Sequence, residues 1–393
     1  MRRLRELVLS IVTCVCAEGS LVACSPSTPV DASSDQGTDA AAPDAPSDVA
    51  NDIAADSDND ASSTPADSGA CPALPMPMTF VRNPAVAHPM DEMLRLNHIQ
   101  AEATHNSYHL RGRTDLPEWN YEHAPLGEQL TNQGVRGVEL DLQWDARCRR
   151  FQVYHVAALD DRSTCRYFTD CLLAIRAFSA ANPGHHPLFI HVEPKGPEGA
   201  YDEAGFAQVE REILSVFDRS WIITPDEVKG ASTTVSEAIT TRGWPTLAQS
   251  RGRVLFYLDN TTAPRNIYTH NGRDLSGRLM FVDSAMGEPF AAVMVLNDPT
   301  SSATAIARAL AAGYLVRTRA DSDPTEARMN TRTQLTAALA SGAQIVSTDF
   351  PAPTAGTAYV VEVPMGTPSR CSPVTAPAGC TPAAIEAPAR LRP

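Results

Sequence analysis

Between Leu96 and Phe350, short runs of β-favouring apolar residues alternate with helical stretches, and this alternation constrains the fold more than any other feature. Eight runs read as strands: His98–Thr104, Val135–Leu142, Pro187–Glu193, Arg253–Asp259, Arg278–Asp283, Ala291–Asn297, Tyr314–Arg319 and Gln344–Thr348. Helical patterns lie between most of them, at Leu126–Gln133, Phe168–Ala180, Phe206–Phe217, Thr304–Ala312 and Thr325–Ala340. One further run, Phe151–His155, reads as a hairpin arm after the second strand. Parallel strands need long return connections, and helices supply them. Eight such strands in about 255 residues have the size of a closed (β/α)8 TIM barrel, an α/β fold. An open, doubly wound sheet is the structural alternative.

Polar residues at the strand ends favour the barrel. His105 and Asn106 follow the first strand, and Glu139 and Asp141 end the second. Glu193 and Lys195, Asp259, Asp283, Asn297, Arg317 and Arg319, and Asp349 follow in turn. In a barrel these ends converge on one rim, where functional groups collect.

Side chains alternate faces along a strand, so Glu139 and Asp141 share one face, as do His191, Glu193 and Lys195. Carboxylates crowded into a barrel mouth are costly without a cation. Glu139, Asp141, Glu193 and the Asn106 amide oxygen make four hard donors, suited to Ca2+ or, less well, Mg2+. His105 and His155 are placed to act as acid and base around a phosphorus centre, since imidazole titrates near neutrality. Lys195, Arg317 and Arg319 are candidate contacts to substrate phosphate, with salt bridges to Asp321 or Asp349 as the structural alternative for the arginines. Trp144 and Tyr108 are expected to pack rather than stack on a ligand. His191 reads as a hydrogen-bonded interior histidine. His109, His123, His185, His186 and His270 read as surface or loop residues, and Asp145 and Asp283 as solvent-facing.

Thr104-His105-Asn106-Ser107, Gly137-Val138-Glu139-Leu140-Asp141, Val153-Tyr154-His155 and Val192-Glu193-Pro194-Lys195, in this order, resemble the catalytic barrel of the phosphoinositide-specific phospholipases C, most closely the exported, calcium-dependent bacterial branch. The resemblance spans 96–351. It implies His105 and His155 as catalytic histidines, Asn106, Glu139, Asp141 and Glu193 as calcium ligands, and Glu193 as a candidate base. The implied reaction is attack of the inositol 2-hydroxyl on phosphorus, releasing diacylglycerol and a cyclic inositol phosphate that water can open. A glycerophosphodiester phosphodiesterase on the same barrel is the second reading, disfavoured because that family has His-Arg-Gly where this chain has His105-Asn106-Ser107. A non-catalytic lipoprotein that binds inositol phosphates is the third.

The flanks bear on location. Residues 1–24 read as an export leader: basic at Arg2, Arg3 and Arg5, then apolar, then Leu21-Val22-Ala23-Cys24, which resembles a lipoprotein lipobox with Cys24 as the lipidated residue. Residues 25–70 hold ten Asp and no Lys, Arg or Glu, the composition of a disordered linker. Of the net charge of −14, the leader carries +1 and the linker −10, which leaves −5 for residues 71–393. That balance excludes a nucleic-acid binder, which needs clustered basic residues. Residues 71–363 are assigned to the catalytic barrel and 364–393 to a Pro/Ala-rich tail.

Six cysteines remain beyond Cys24, and an even count in an exported chain suggests three disulfides. Short loops favour Cys165–Cys171 and Cys371–Cys380, leaving Cys71–Cys148, and no C-x-x-C spacing supports zinc. The chain is expected to act as a monomer on phospholipid at a membrane surface. It would be a lipid-anchored protein of the cell surface or periplasm, with plain secretion as the alternative.

Overall fold

The computed structural model describes residues 71–81, 87–112, 116–322, 324–366 and 368–386. The leader, Cys24 and the linker lie outside the described residues.

Ten strands occur in chain order: β1 Ile99–Thr104, β2 Gly137–Asp145, β3 Arg150–Val153, β4 Leu188–Pro194, β5 Val254–Leu258, β6 Phe281–Val282, β7 Val293–Val295, β8 Leu315–Arg319, β9 Ile345–Thr348 and β10 Ser369–Cys371. Eight run parallel in the order β6-β5-β4-β2-β1-β9-β8-β7. The ends meet where Asp283, just past β6, bridges Val293 of β7. Ser284 N–H donates to the Val293 carbonyl (3.1 Å), and the Asp283 carboxylate accepts from Val295 N–H (2.9 Å). The sheet therefore closes into the expected barrel. Asp283, read as solvent-facing, is a closing residue of that barrel.

Side-chain alternation sorts the core. Val138, Leu140, Ile190, Val192, Phe256 and Leu258 pack in one apolar cluster with residues of the helices Phe168–Ala181 and Glu203–Val216. Glu139, Asp141, His191 and Glu193 take the intervening positions and turn to the barrel interior. Gly137 opens β2 beside Ala103, where a Cβ would lie 2.7 Å from the Ala103 Cβ, so only glycine admits this strand approach.

All eight barrel strands and the β3 arm fall within or close to their expected ranges. The expected helix Thr325–Ala340 is two helices, Pro324–Arg328 and Thr333–Ser341. Three helices in the 224–250 region were not anticipated, although each carries a cap in the sequence. Thr224 and Thr234 accept from the N–H groups of Glu227 and Glu237, and the Gln249 side chain accepts from Thr246 N–H.

Of the residues beyond 363, read as a tail, 369–371 and 382–386 are built into the bottom of the barrel. β10 pairs antiparallel with the start of β1, below the point where β2 begins. Glu386 forms a buried ion pair with Arg136 (2.6 Å), and the His186 ring and Ser369 hydroxyl are 2.5 Å apart. All three expected disulfides are present: Cys71–Cys148, Cys165–Cys171 and Cys371–Cys380. They fit a chain that folds in an oxidising compartment outside the cytoplasm. Among the described residues no helix is long and apolar enough to cross a membrane.

Candidate active site

The C-terminal ends of the strands carry the expected polar ring, and the β2–β4 register assembles its centre. Glu139 pairs with His191 and Asp141 with Glu193. Carboxylate oxygens of Glu139, Asp141 and Glu193 all lie within 4.8 Å of one another, a cluster that could hold a metal ion. Both Asp141 oxygens are buried with no hydrogen-bond donor among the described residues. The one ammonium beside it, Lys195, is shared with Glu193 and gives Asp141 no hydrogen bond, so this crowded donor set fits a hard divalent ion. Burial and the neighbouring Asp141 carboxylate push the Glu193 carboxyl up to about 8, against the opposing effect of Lys195. Lys195 lies 2.5 Å from Glu193 and 3.6 Å from Asp141, its ammonium facing the carboxylates.

Asn106 is the fourth candidate donor. It adopts a left-handed φ of +42°, which Asn tolerates better than most residues, at the turn leaving β1. The Tyr108 hydroxyl donates to its Oδ1 (3.3 Å), and its Nδ2 donates to Tyr121 (3.3 Å). Burial and the Asp141 charge hold the Tyr108 phenol well above its ordinary range, so it stays a neutral donor. Ser107 ties this turn to β2 by accepting from Glu139 N–H (2.8 Å). That role for the third residue of His-Asn-Ser was not read from the sequence.

His105 is 20% exposed, with Nδ1 2.8 Å from Asp349 and Nε2 3.9 Å from Glu139. The Arg319 guanidinium donates to Asp349 (3.2 Å) and approaches the other ring nitrogen of His105 (3.4 Å). Burial first, then the Arg319 charge, hold His105 well below the usual histidine range, so its ring is neutral.

Arg317 is turned inside the barrel. It donates to Glu139 Oε2 (2.6 Å), Ser347 (3.3 Å) and Asn297. Burial opposes ionisation of Glu139, but Arg317 and then His191 outweigh it and hold this carboxyl well below its ordinary value. Oε2 is thereby engaged, and Oε1 faces His105 and the mouth. Of the three candidate substrate cations, Arg317 is the one committed to Glu139, while Lys195 and Arg319 lie beside the carboxylates and His105.

His191 is interior, as expected, between Glu139 (3.4 Å) and Asp259 (2.9 Å) and stacked on Tyr257. Burial opposes its charge, but Glu139 and then Asp259 prevail, raising it to about 10. Tyr108 is buried, and Trp144 packs on Phe151 with ring centroids 5.1 Å apart.

His155 is 21% exposed, with Nδ1 3.0 Å from the buried Asp160. Asp160 also contacts His109 Nε2, at 2.9 Å from each carboxylate oxygen. His109, His123, His185 and His186, read as surface or loop residues, are all buried. Each has a polar partner: Asp160 for His109, the His105 carbonyl for His123 (2.8 Å), Ser179 for His185 (2.7 Å) and Ser369 for His186. A polar ring can be buried when it is hydrogen-bonded. His270 is half-buried on a turn.

The sequence profile of the family "Phosphoinositide phospholipase C, Ca2+-dependent" matches residues 148–373, more than half of the chain. The chain belongs to the calcium-dependent phosphoinositide phospholipase C family. It is accordingly an enzyme of the phosphoric diester hydrolase class. The match includes His155, Glu193, Lys195, Arg317 and Arg319, whereas His105, Asn106, Glu139 and Asp141 precede it. The fold is similar to that of a Ca2+-dependent phosphatidylinositol-specific phospholipase C from Streptomyces antibioticus, with a TM-score of 0.50 and 21% identity, covering 66% of this chain and 95% of that one. A calcium-dependent phosphoinositol-specific phospholipase C from a Pseudomonas species gives a TM-score of 0.48 and 20% identity over 70% of this chain and 96% of that one. A glycerophosphoryl diester phosphodiesterase from Parabacteroides distasonis gives 0.33 and 10% over 65% and 84%. No match is found among curated proteins.

Proposed function

We propose that the chain is a calcium-dependent phospholipase C that cleaves phosphatidylinositol-type lipids to diacylglycerol and a cyclic inositol phosphate. The observation that carries this reading is the carboxylate cluster of Glu139, Asp141 and Glu193, in which neither Asp141 oxygen has a hydrogen-bond partner, with His105 beside it, 3.9 Å from Glu139. Asn106, Glu139, Asp141 and Glu193 would hold Ca2+, which when bound balances their charge and that of the phosphoryl oxygens and lowers the pKa of the attacking hydroxyl.

The chain's own groups then divide the reaction. Glu193, whose carboxyl burial and the Asp141 charge raise to about 8, takes the proton from the inositol 2-hydroxyl. The freed oxygen bonds to phosphorus, and the bond from phosphorus to the diacylglycerol oxygen breaks. His155 stabilises charge on the phosphorane. His105 starts neutral beside Arg319. An arriving anionic phosphate offsets the Arg319 charge and favours a protonated His105, which then donates to the leaving oxygen. Arg319 and Lys195 bind phosphate or inositol oxygens, and Arg317 holds Glu139 in place.

The enzyme would act as a monomer at a membrane surface, tethered by a lipid on Cys24 through the 25–70 linker, at the cell surface or in the periplasm. A Cys24→Ala chain should leave the membrane fraction and keep its turnover of dispersed substrate. Retention in that fraction would discard the anchor.

Phosphorus NMR of the full chain with phosphatidylinositol tests the activity. A cyclic 1,2-phosphate signal with calcium, lost on chelation, is the expected result. Turnover of glycerophosphoinositol but not of the lipid would replace the reading with a glycerophosphodiesterase. Saturable binding of inositol phosphate without turnover would replace it with a binding protein.

A further inference from the structure

Asp160 is placed as though the two loops above the first two barrel strands were folded around it. Its carboxylate is completely buried. It meets His155 Nδ1 at 3.0 Å from one loop and His109 Nε2 at 2.9 Å from the other. The two loops also meet at the His109–Ser163 bridge.

The chain accepts strain to put Asp160 there. Val156 and Asp160 exchange both backbone hydrogen bonds, at 3.0 and 2.8 Å, across a very short turn. That turn forces Ala158 to a left-handed φ of +63°, which a residue with a Cβ rarely adopts. A glycine would relieve it. Strained backbone of this kind clusters at functional sites.

His109 continues the network inward. Its ring stacks on Tyr121 with centroids 4.4 Å apart, and the Tyr121 hydroxyl accepts from Asn106 and lies 3.5 Å from His105 Nδ1. Asp160 is thus the acceptor at one end of a packed path that reaches the other catalytic histidine.

We propose that Asp160 is the positioning residue for His155. It accepts the Nδ1 proton, so that any proton exchanged with substrate is carried on Nε2, the ring nitrogen that Asp160 does not contact. His109 holds the carboxylate in place by donating from the opposite side. A carboxylate bound to one imidazole nitrogen selects the tautomer and fixes the ring plane, as in hydrolytic triads. The role in turnover rests on the phospholipase reading, but the tautomer can be observed without it.

The test is Asp160→Asn in the full chain, read in two ways. Nitrogen-15 NMR of histidine-labelled protein, with the His155 signals identified by their loss in His155→Ala, should show the Nδ1–H tautomer in the natural chain and a mixed or reversed tautomer in the variant. With phosphatidylinositol, kcat should fall by about ten- to ten-thousandfold while KM and calcium affinity stay within about twofold. His109→Gln, which keeps an N–H donor, should lose less than Asp160→Asn. An unchanged tautomer in Asp160→Asn overturns the proposal whatever the activity. So does a fall in kcat matched by equal losses of calcium affinity and melting temperature. A natural chain that shows the tautomer but no turnover would instead overturn the phospholipase reading and leave the positioning intact.

Discussion

Single residues at the mouth do opposite things with similar chemistry. His105 is held neutral by burial and Arg319, while His191, one strand over from Glu139, is held charged by Glu139 and Asp259. His155→Ala should reduce turnover by about a hundredfold or more while leaving calcium affinity within about twofold, because the ring contacts Asp160 and none of the four donors. Calorimetric titration beside a kinetic assay checks this, and an equal loss of both would remove His155 from its role. Glu193 gives a pH dependence. Its carboxyl is raised to about 8, so below that pH the ion-free protein binds a proton that calcium must displace. Apparent calcium affinity should therefore rise with pH, by up to about tenfold per unit, and level off above about 8. A flat profile from pH 6 to 8 would show that Glu193 is not a ligand.

Elements differ in how far their sequences announce them. The barrel strands are legible because a strand buried in a parallel sheet must be a short apolar run, and the chain supplies eight. The pair Glu139 and Asp141 follows from spacing alone, since strand alternation decides which residues share a face. The capped helices near 224–250 were missed because they are short, although their Thr-x-x-Glu and Thr-x-x-Gln signals are local. β10 could not be read at all. Its three residues, Ser369–Cys371, have no strand pattern, and they are extended because the lower edge of β1 offers unpaired groups. The hairpin of β2 and β3 is pinned to the start of the described chain by Cys71–Cys148, a separation of 77 residues. Loop-closure entropy for such a span is worth about 4 kcal/mol. Replacing both cysteines by serine should lower unfolding stability by about 2–4 kcal/mol in denaturant titrations and leave the turnover of folded protein within about twofold.

At the scale of the molecule, acid should unfasten the base of the barrel. Burial lowers His185 to about 4 and His186 to about 3, and Arg136, outweighing burial, lowers Glu386 to about 2. For the histidines the unfolded state binds more protons than the folded one between about pH 6.5 and 3, so stability falls as pH drops through that window. Glu386 adds its own loss between about 4.5 and 2. Thermal unfolding between pH 7 and 3.5 should show a falling midpoint, and His186→Gln should flatten the upper part of that fall. A midpoint independent of pH would show that these rings are not buried in solution.

Taken alone, the sequence determined what is local to the chain: the eight strands with helices between most of them, the facing of Glu139 with Asp141 and of His191 with Glu193, the even cysteine count and the acidic linker. Those follow from periodicity, which depends on neighbours along the backbone. Only the tertiary structure decided the partners. Arg317 goes to Glu139, Arg319 to Asp349 and His105, and His109 is buried against Asp160 although its sequence neighbours suggest a surface turn. Whether an ionisable side chain is exposed, paired or poised for chemistry depends on groups brought up from distant strands and loops, and only the closed barrel brings them together.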